Sequence, residues 1–157
     1  MVYLALRKVA PKGFFQKIFW WITKWRLLTQ FPHAGVVIKN DFYGNELLHT
    51  TVFRGVHSLS KNEYCNDDWV FFHVDISDSL VKDRYFSVIG AGYDWFSLLA
   101  FVITFRFTKA SWFYCYELSW FLLKGEIPTF RVTPEMLLKL VLQINNKNDD
   151  KLNGDSK

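Results

Sequence analysis

A thiol at the start of a helix with an imidazole in reach makes a nucleophile, and the chain carries two cysteines, Cys65 and Cys115, and four histidines, His33, His49, His57 and His73. The cysteines are too few and too far apart for a disulfide framework. No CxxC or HxxxH spacing suggests zinc, so neither metal nor cofactor is expected. Ser111 is placed to N-cap a helix over residues 112–124, which puts Cys115 in or just beyond its first turn. There the positive end of the helix dipole stabilises a thiolate. Trp112, Phe113 and Tyr114 stand beside it, however, and on local grounds alone an inert core cysteine is the simpler reading.

A thiol nucleophile needs a base, and histidine serves near neutral pH because its unperturbed pKa is about 6.5. His33 follows Pro32 at the mouth of a strand, where a ring is held rigidly yet stays accessible. His73 lies within an apolar segment and reads as a core residue; His57, past Arg54-Gly55, reads as a loop residue. His49 is the candidate for a third group that holds the base in its working tautomer. Spacing leaves that pair open: a turn centred between Phe42 and Tyr43 sets His49 opposite Val36 with His33 on the other face, and a one-residue register change reverses this. The backbone N–H of Cys115, near the helix start, is the first candidate oxyanion donor, and Tyr93 is a second.

These residues must be positioned by a modest set of elements. Residues 14–28 read as a helix that ends before Pro32. Phe15, Ile18, Phe19, Ile22 and Trp25 share one face, and Lys17, Lys24, Gln16 and Thr23 lie opposite. Trp20 and Leu27 fall among the lysines, covered by a second element or left to meet substrate or lipid. Segments 35–39 and 46–52 flank a run of turn formers and predict a hairpin. Residues 69–76 are apolar nearly throughout and predict a strand central in the sheet. A short helix follows to about Phe86, ended by Gly90-Ala91-Gly92, and Asp94 is placed to cap another over 95–105. Gly125 closes the helix begun at Ser111, and Thr133-Pro134-Glu135 opens a last one through about Ile144. Residues 145–157 have the composition of a disordered tail, leaving 1–144 as a single domain.

Composition narrows the function classes. Half the residues are hydrophobic and 22% are charged, which excludes disorder for the bulk of the chain. The most apolar run, residues 95–105, is interrupted by Ser97 and Thr104 and falls short of the roughly 18 residues of a membrane span. Residues 1–10 lack the pattern of a secretory signal, so the cytoplasm is the expected compartment. With 19 basic against 15 acidic residues and no block of five basic ones, no nucleic-acid partner is expected. Weak attraction to anionic surfaces is all that the charge supports.

The ordered set Pro32-His33-Ala34-Gly35-Val36-Val37-Ile38, His49, Gly55-Val56, Tyr93-Asp94-Trp95, Cys115-Tyr116-Glu117-Leu118 and Val132-Thr133-Pro134 resembles the circularly permuted NlpC-type papain-fold cysteine hydrolases. That superfamily includes the lecithin:retinol acyltransferase-like enzymes, and the resemblance covers about residues 3 to 140. It implies an α+β permuted papain-like fold, with a small antiparallel sheet or partial barrel packed against helices. It also implies a triad in which Cys115 is the nucleophile, His33 the base and His49 the orienting group. Tyr116 departs from the pattern, since serine commonly follows the cysteine. The implied activity is a thiol hydrolase that cleaves an amide (a peptide, isopeptide or cell-wall stem peptide) through an acyl-cysteine. Two alternatives stand beside it: a lipid ester or amide hydrolase or acyltransferase at an anionic membrane surface, with Trp20 and Leu27 as the contact, and a non-catalytic binding or inhibitory module. Relatives also occur in bacterial viruses, which implies the host cytoplasm if this chain is virus-encoded. The oligomeric state is open.

Overall fold

Val2, Leu4 and Leu6 alternate with Tyr3, Ala5 and Arg7, and this period of two builds a first strand, β1 (Val2–Arg7). The structure is a computed structural model, which describes residues 1–10, 12–27, 29–40, 44–51, 53–64, 66–94 and 112–154. β1 joins β2 (His33–Asn40), β3 (Gly44–Thr51), β4 (Gly55–Ser60) and β5 (Trp69–Val74) in one antiparallel sheet of order β4-β3-β2-β1-β5. A short parallel pair, β6 (Gly92–Tyr93) and β7 (Trp112–Phe113), stands apart from it. Four helices complete the described residues: α1 (Phe14–Leu27), α2 (Asp78–Val88), α3 (Cys115–Lys124) and α4 (Pro134–Gly154). The class is α+β.

The sheet has two unlike faces. Val2, Leu4, Leu6, Ala34, Val36, Ile38, Leu48, Val56 and Val74 point to one side, and α2, α3 and α4 cover them with residues such as Val81, Leu118, Leu122 and Leu137. Full burial of each such leucine contributes about 1.5–3 kcal/mol. Ala5, Val37, Leu47 and Trp69 point to the other side, where Tyr64 packs on them. His33, His49 and His57 alternate with residues of the first set, and so belong to this second face.

α3 starts later than expected. Ser111 lies outside the described residues, Trp112 and Phe113 are strand, and Tyr114 is the extended N-cap, so Cys115 is the first helical residue. The other end matches expectation: Gly125 is left-handed at φ 86° and its N–H returns to the Phe121 carbonyl. Thr133 likewise begins α4, its hydroxyl accepting from the Met136 N–H at 3.4 Å. The helix expected over 95–105 lies outside the described residues.

Three expectations are overturned. β5 is an edge strand and not a central one, because β1 occupies the position between it and β2. His73 is accordingly exposed, its ring edge-on to Tyr3, and not a core histidine. The polar tail also continues α4 as far as Gly154. Asn145 donates to the His73 carbonyl and accepts from the Asp75 N–H, and Asn148 donates to the Asp75 carbonyl, so polar side chains serve the end of β5 where apolar ones were sought. Deleting residues 145–157 is therefore expected to cost about 2 kcal/mol, taking three modest hydrogen bonds, and to lower Tm by roughly 4–8 °C. An unchanged Tm would mean that the asparagines hold nothing.

Candidate active site

The β2–β3 register settles whether the histidines meet. Val36 pairs with Leu48 and Asn40 with Gly44, a shift of one residue from the turn considered above, which sets His49 across from Gly35. A Cβ built on Gly35 would lie 3.1 Å from the Cβ of His49 and 2.9 Å from the Leu48 carbonyl oxygen. Only glycine leaves room there for the imidazole to lean toward His33. On β4, His57 is the direct cross-strand partner of His49. It is a strand residue and not a loop residue. The alternation in Val56-His57-Ser58-Leu59 is the signal that could have revealed it.

The three rings form one hydrogen-bonded chain. His33 Nε2 lies 3.1 Å from His49 Nδ1, His49 Nε2 lies 3.0 Å from His57 Nε2, and His57 Nδ1 lies 2.9 Å from the Gly55 carbonyl oxygen. Gly55 holds φ 64°, which a side chain rarely adopts, and a Cβ there would collide with the Ala91 carbonyl. Arg7, across from His33 on β1, is tied to Asp68 at 3.0 Å and lies over Trp69. Burial, then the Arg7 and His57 charges, push the His33 pKa down to about 3. His49 is lowered well below the ordinary value, first by burial and then by the neighbouring histidines and arginines. Both rings are neutral near pH 7. Because their nitrogens are spent on one another, they do not converge on a point, and among the described residues no group is arranged to hold a metal ion.

Cys115 lies on the other side of the sheet from the three rings, in the core against Ala34 and Val36. The N–H groups of Ala34, Tyr116 and Cys115 itself face its sulfur, which puts the thiol at the peptide next to His33. The first intrahelical bond of α3 runs from the Leu118 N–H to the Tyr114 carbonyl, so the N–H groups of residues 115–117 precede the helical ladder. The thiol is 4% exposed, and burial pushes its pKa up to about 12. No hydrogen bond joins it to the His33 ring.

Tyrosines fix the surroundings. The Tyr116 hydroxyl donates to the Phe31 carbonyl and so ties the start of α3 to the segment that leads into His33. Tyr116 is thus a brace between α3 and β2. Tyr114 donates to the Val132 carbonyl at 3.0 Å and accepts from the Val132 N–H at 2.7 Å. Tyr93, on β6, is close enough to the Cys115 sulfur to feel its charge; burial and that charge hold the phenol protonated, as a donor.

Trp20 is half-buried with the Lys24 ammonium 4.8 Å over its ring, and the Leu27 side chain lies outside the described residues. Phe14, Ile18, Trp21 and Trp25 instead stand 73%, 41%, 61% and 78% exposed. Ile18 and Trp25 belong to the face that the periodicity groups with Phe15, Phe19 and Ile22, and Ile22 on that face is half-buried. Cys65 also lies outside the described residues. Among the described residues, no helix is long and apolar enough to cross a membrane. No protein-family model matches the chain, and none of the curated proteins matches it significantly.

Proposed function

We propose that the protein is a thiol hydrolase of the permuted papain type that cleaves an amide through an acyl-cysteine. The observation that carries this reading is the meeting of Cys115, as first residue of α3, with the backbone of β2 beside His33, whose ring is already held by His49. In the reaction His33 takes the thiol proton as Cys115 Sγ attacks the carbonyl carbon, and the tetrahedral oxygen meets the Cys115 N–H and the Tyr93 hydroxyl. The proton then passes to the leaving amine, and water, deprotonated by His33, releases the acid. Burial disfavours a lone thiolate and a lone imidazolium alike, so proton transfer has to accompany attack. The test is intact-mass detection of an acyl adduct on a panel of activated amides and esters. An adduct confined to Cys115 supports the reading; a folded protein that forms none gives way to the non-catalytic module, which the buried thiol and its missing bond to His33 favour.

A second substrate class, lipid esters or amides at a membrane, is favoured by the stripe Phe14, Ile18, Trp21 and Trp25 with Lys17 and Lys24 on the same helix. Apolar insertion and charge attraction would act together there. Replacing Trp21 and Trp25 by serine is then expected to abolish binding to anionic vesicles at low salt while sparing the adduct with a small soluble ester. Wild-type protein that ignores such vesicles would leave the amide.

A further inference from the structure

The Gly55 carbonyl fixes the protons of the whole histidine chain. A carbonyl oxygen only accepts, so His57 Nδ1 carries a hydrogen and, in a neutral ring, its Nε2 is bare. His49 Nε2 must then donate to His57 and leave its Nδ1 bare, and His33 Nε2 must donate to His49 Nδ1. His33 is left with its free lone pair on Nδ1, and the Cys115 sulfur lies at the N–H of the next residue, Ala34. A peptide oxygen three side chains away therefore sets the base in its accepting tautomer.

We propose that His57 is a positioning residue and the terminal proton acceptor of a relay, His33–His49–His57, that carries the Cys115 proton to the half-exposed outer strand of the sheet. This rests on the hydrolase reading and adds to it a residue beyond the triad. As the S–H bond breaks, a proton joins His33 Nδ1. The Nε2 proton of His33 moves to His49 Nδ1, and the Nε2 proton of His49 moves to His57 Nε2. Because Sγ bonds to the carbonyl carbon as it loses the proton, the products are the tetrahedral adduct with its negative charge on the former carbonyl oxygen, neutral His33 and His49 in their other tautomers, and an imidazolium at His57 that keeps its bond to Gly55. Every proton is accounted for and no other reactant is needed.

The surrounding charges favour this direction. Arg7 on β1 and Arg54 in the β3–β4 turn disfavour positive charge on His33 and His49. Glu63, in the turn after β4, holds its carboxylate ionised by accepting from the Ser60 N–H at 2.9 Å and hydroxyl at 2.8 Å, and it interacts with His57. The charge moves from a ring beside Arg7 to one that interacts with the Glu63 carboxylate.

Imidazole nitrogen NMR on the full-length protein at pH 7.5 tests the tautomers: Nδ1–H is expected for His57 and Nε2–H for His33 and His49. Nδ1–H on His33, or Nε2–H on His57, overturns the relay. His57→Gln tests transport, because the amide oxygen can accept from His49 but the side chain cannot take up the proton. Its Cys115 alkylation by iodoacetamide at pH 7 is expected to slow about 100-fold, the lower range of what a positioned proton acceptor supplies. The acid limb of the rate profile is expected to move to lower pH. A purely structural His57 would leave that limb in place with the tautomers retained, which refutes transport; should the variant not fold, Glu63→Gln is expected to slow alkylation in the same direction, and no change would count against the relay. A reactive Cys115 with the wrong tautomers removes the relay alone, whereas an unreactive Cys115 with the stated tautomers removes the hydrolase reading and the relay's cargo with it.

Discussion

His33→Ala is expected to cut acyl-adduct formation at Cys115 by about 100-fold or more, the scale of a positioned general base, and Cys115→Ala to abolish it, with both variants folded. The size follows from the site. The Cys115 thiol, pushed up to about 12, ionises little in neutral water, so its reactivity depends on the one base beside its strand. The losses are not expected to add, since a base without its nucleophile has nothing to do. His49→Ala is expected to retain residual adduct formation, because it orients His33 without touching the thiol. Intact-mass kinetics on wild type and the three single variants check this; a His33→Ala protein that forms the adduct at the wild-type rate would deny that the two residues act as a unit.

Stability is expected to fall steeply in mild acid. An unfolded histidine takes up a proton near pH 6.5, whereas folded His33 stays neutral down to about 3 and folded His49 is lowered well below 6.5. Lowered folded values mean that the stabilisation is complete above pH 6.5 and is lost as pH falls through the window toward 3. Each fully enclosed histidine contributes a slope of up to about 1.4 kcal/mol per pH unit. His49 is buried and contributes nearly all of this; His33 is only partly enclosed and contributes less. Urea midpoints between pH 7.5 and 5 are expected to decline, and His49→Gln is expected to flatten the decline. A flat profile would mean that the rings are charged in the fold or open to solvent.

What could be read from the sequence is what short-range chemistry decides. The hairpin 33–51, the left-handed Gly125 and the Thr133-Pro134 helix start depend on residues within a few positions of one another. Cys115, His33 and His49 are singled out by residue type and resemblance, but the contact of the two histidines depends on a register that a turn longer or shorter by one residue inverts. The His49–His57 contact is hidden for the same reason, as it exists only once β4 is laid beside β3. The edge position of β5 and the docking of Asn145 and Asn148 rest on partners about 70 residues away in sequence, which no local pattern encodes. Ile18 and Trp25 share the apolar face of α1 yet stand exposed, since a helical period tells which residues lie together and not whether another element covers them.

The central claim is that Cys115 is a nucleophile served by His33. The rate of iodoacetamide alkylation of each thiol, followed by peptide mass spectrometry from pH 5 to 9 in wild-type protein and in His33→Ala, tests it most directly. The account predicts fast modification of Cys115 at pH 6 to 7, where an ordinary thiol of pKa about 8.5 is mostly protonated, and loss of that rate in His33→Ala with Cys65 unaffected. Slow modification of Cys115 that rises only at strongly alkaline pH, identical with and without the His33 imidazole, would contradict it.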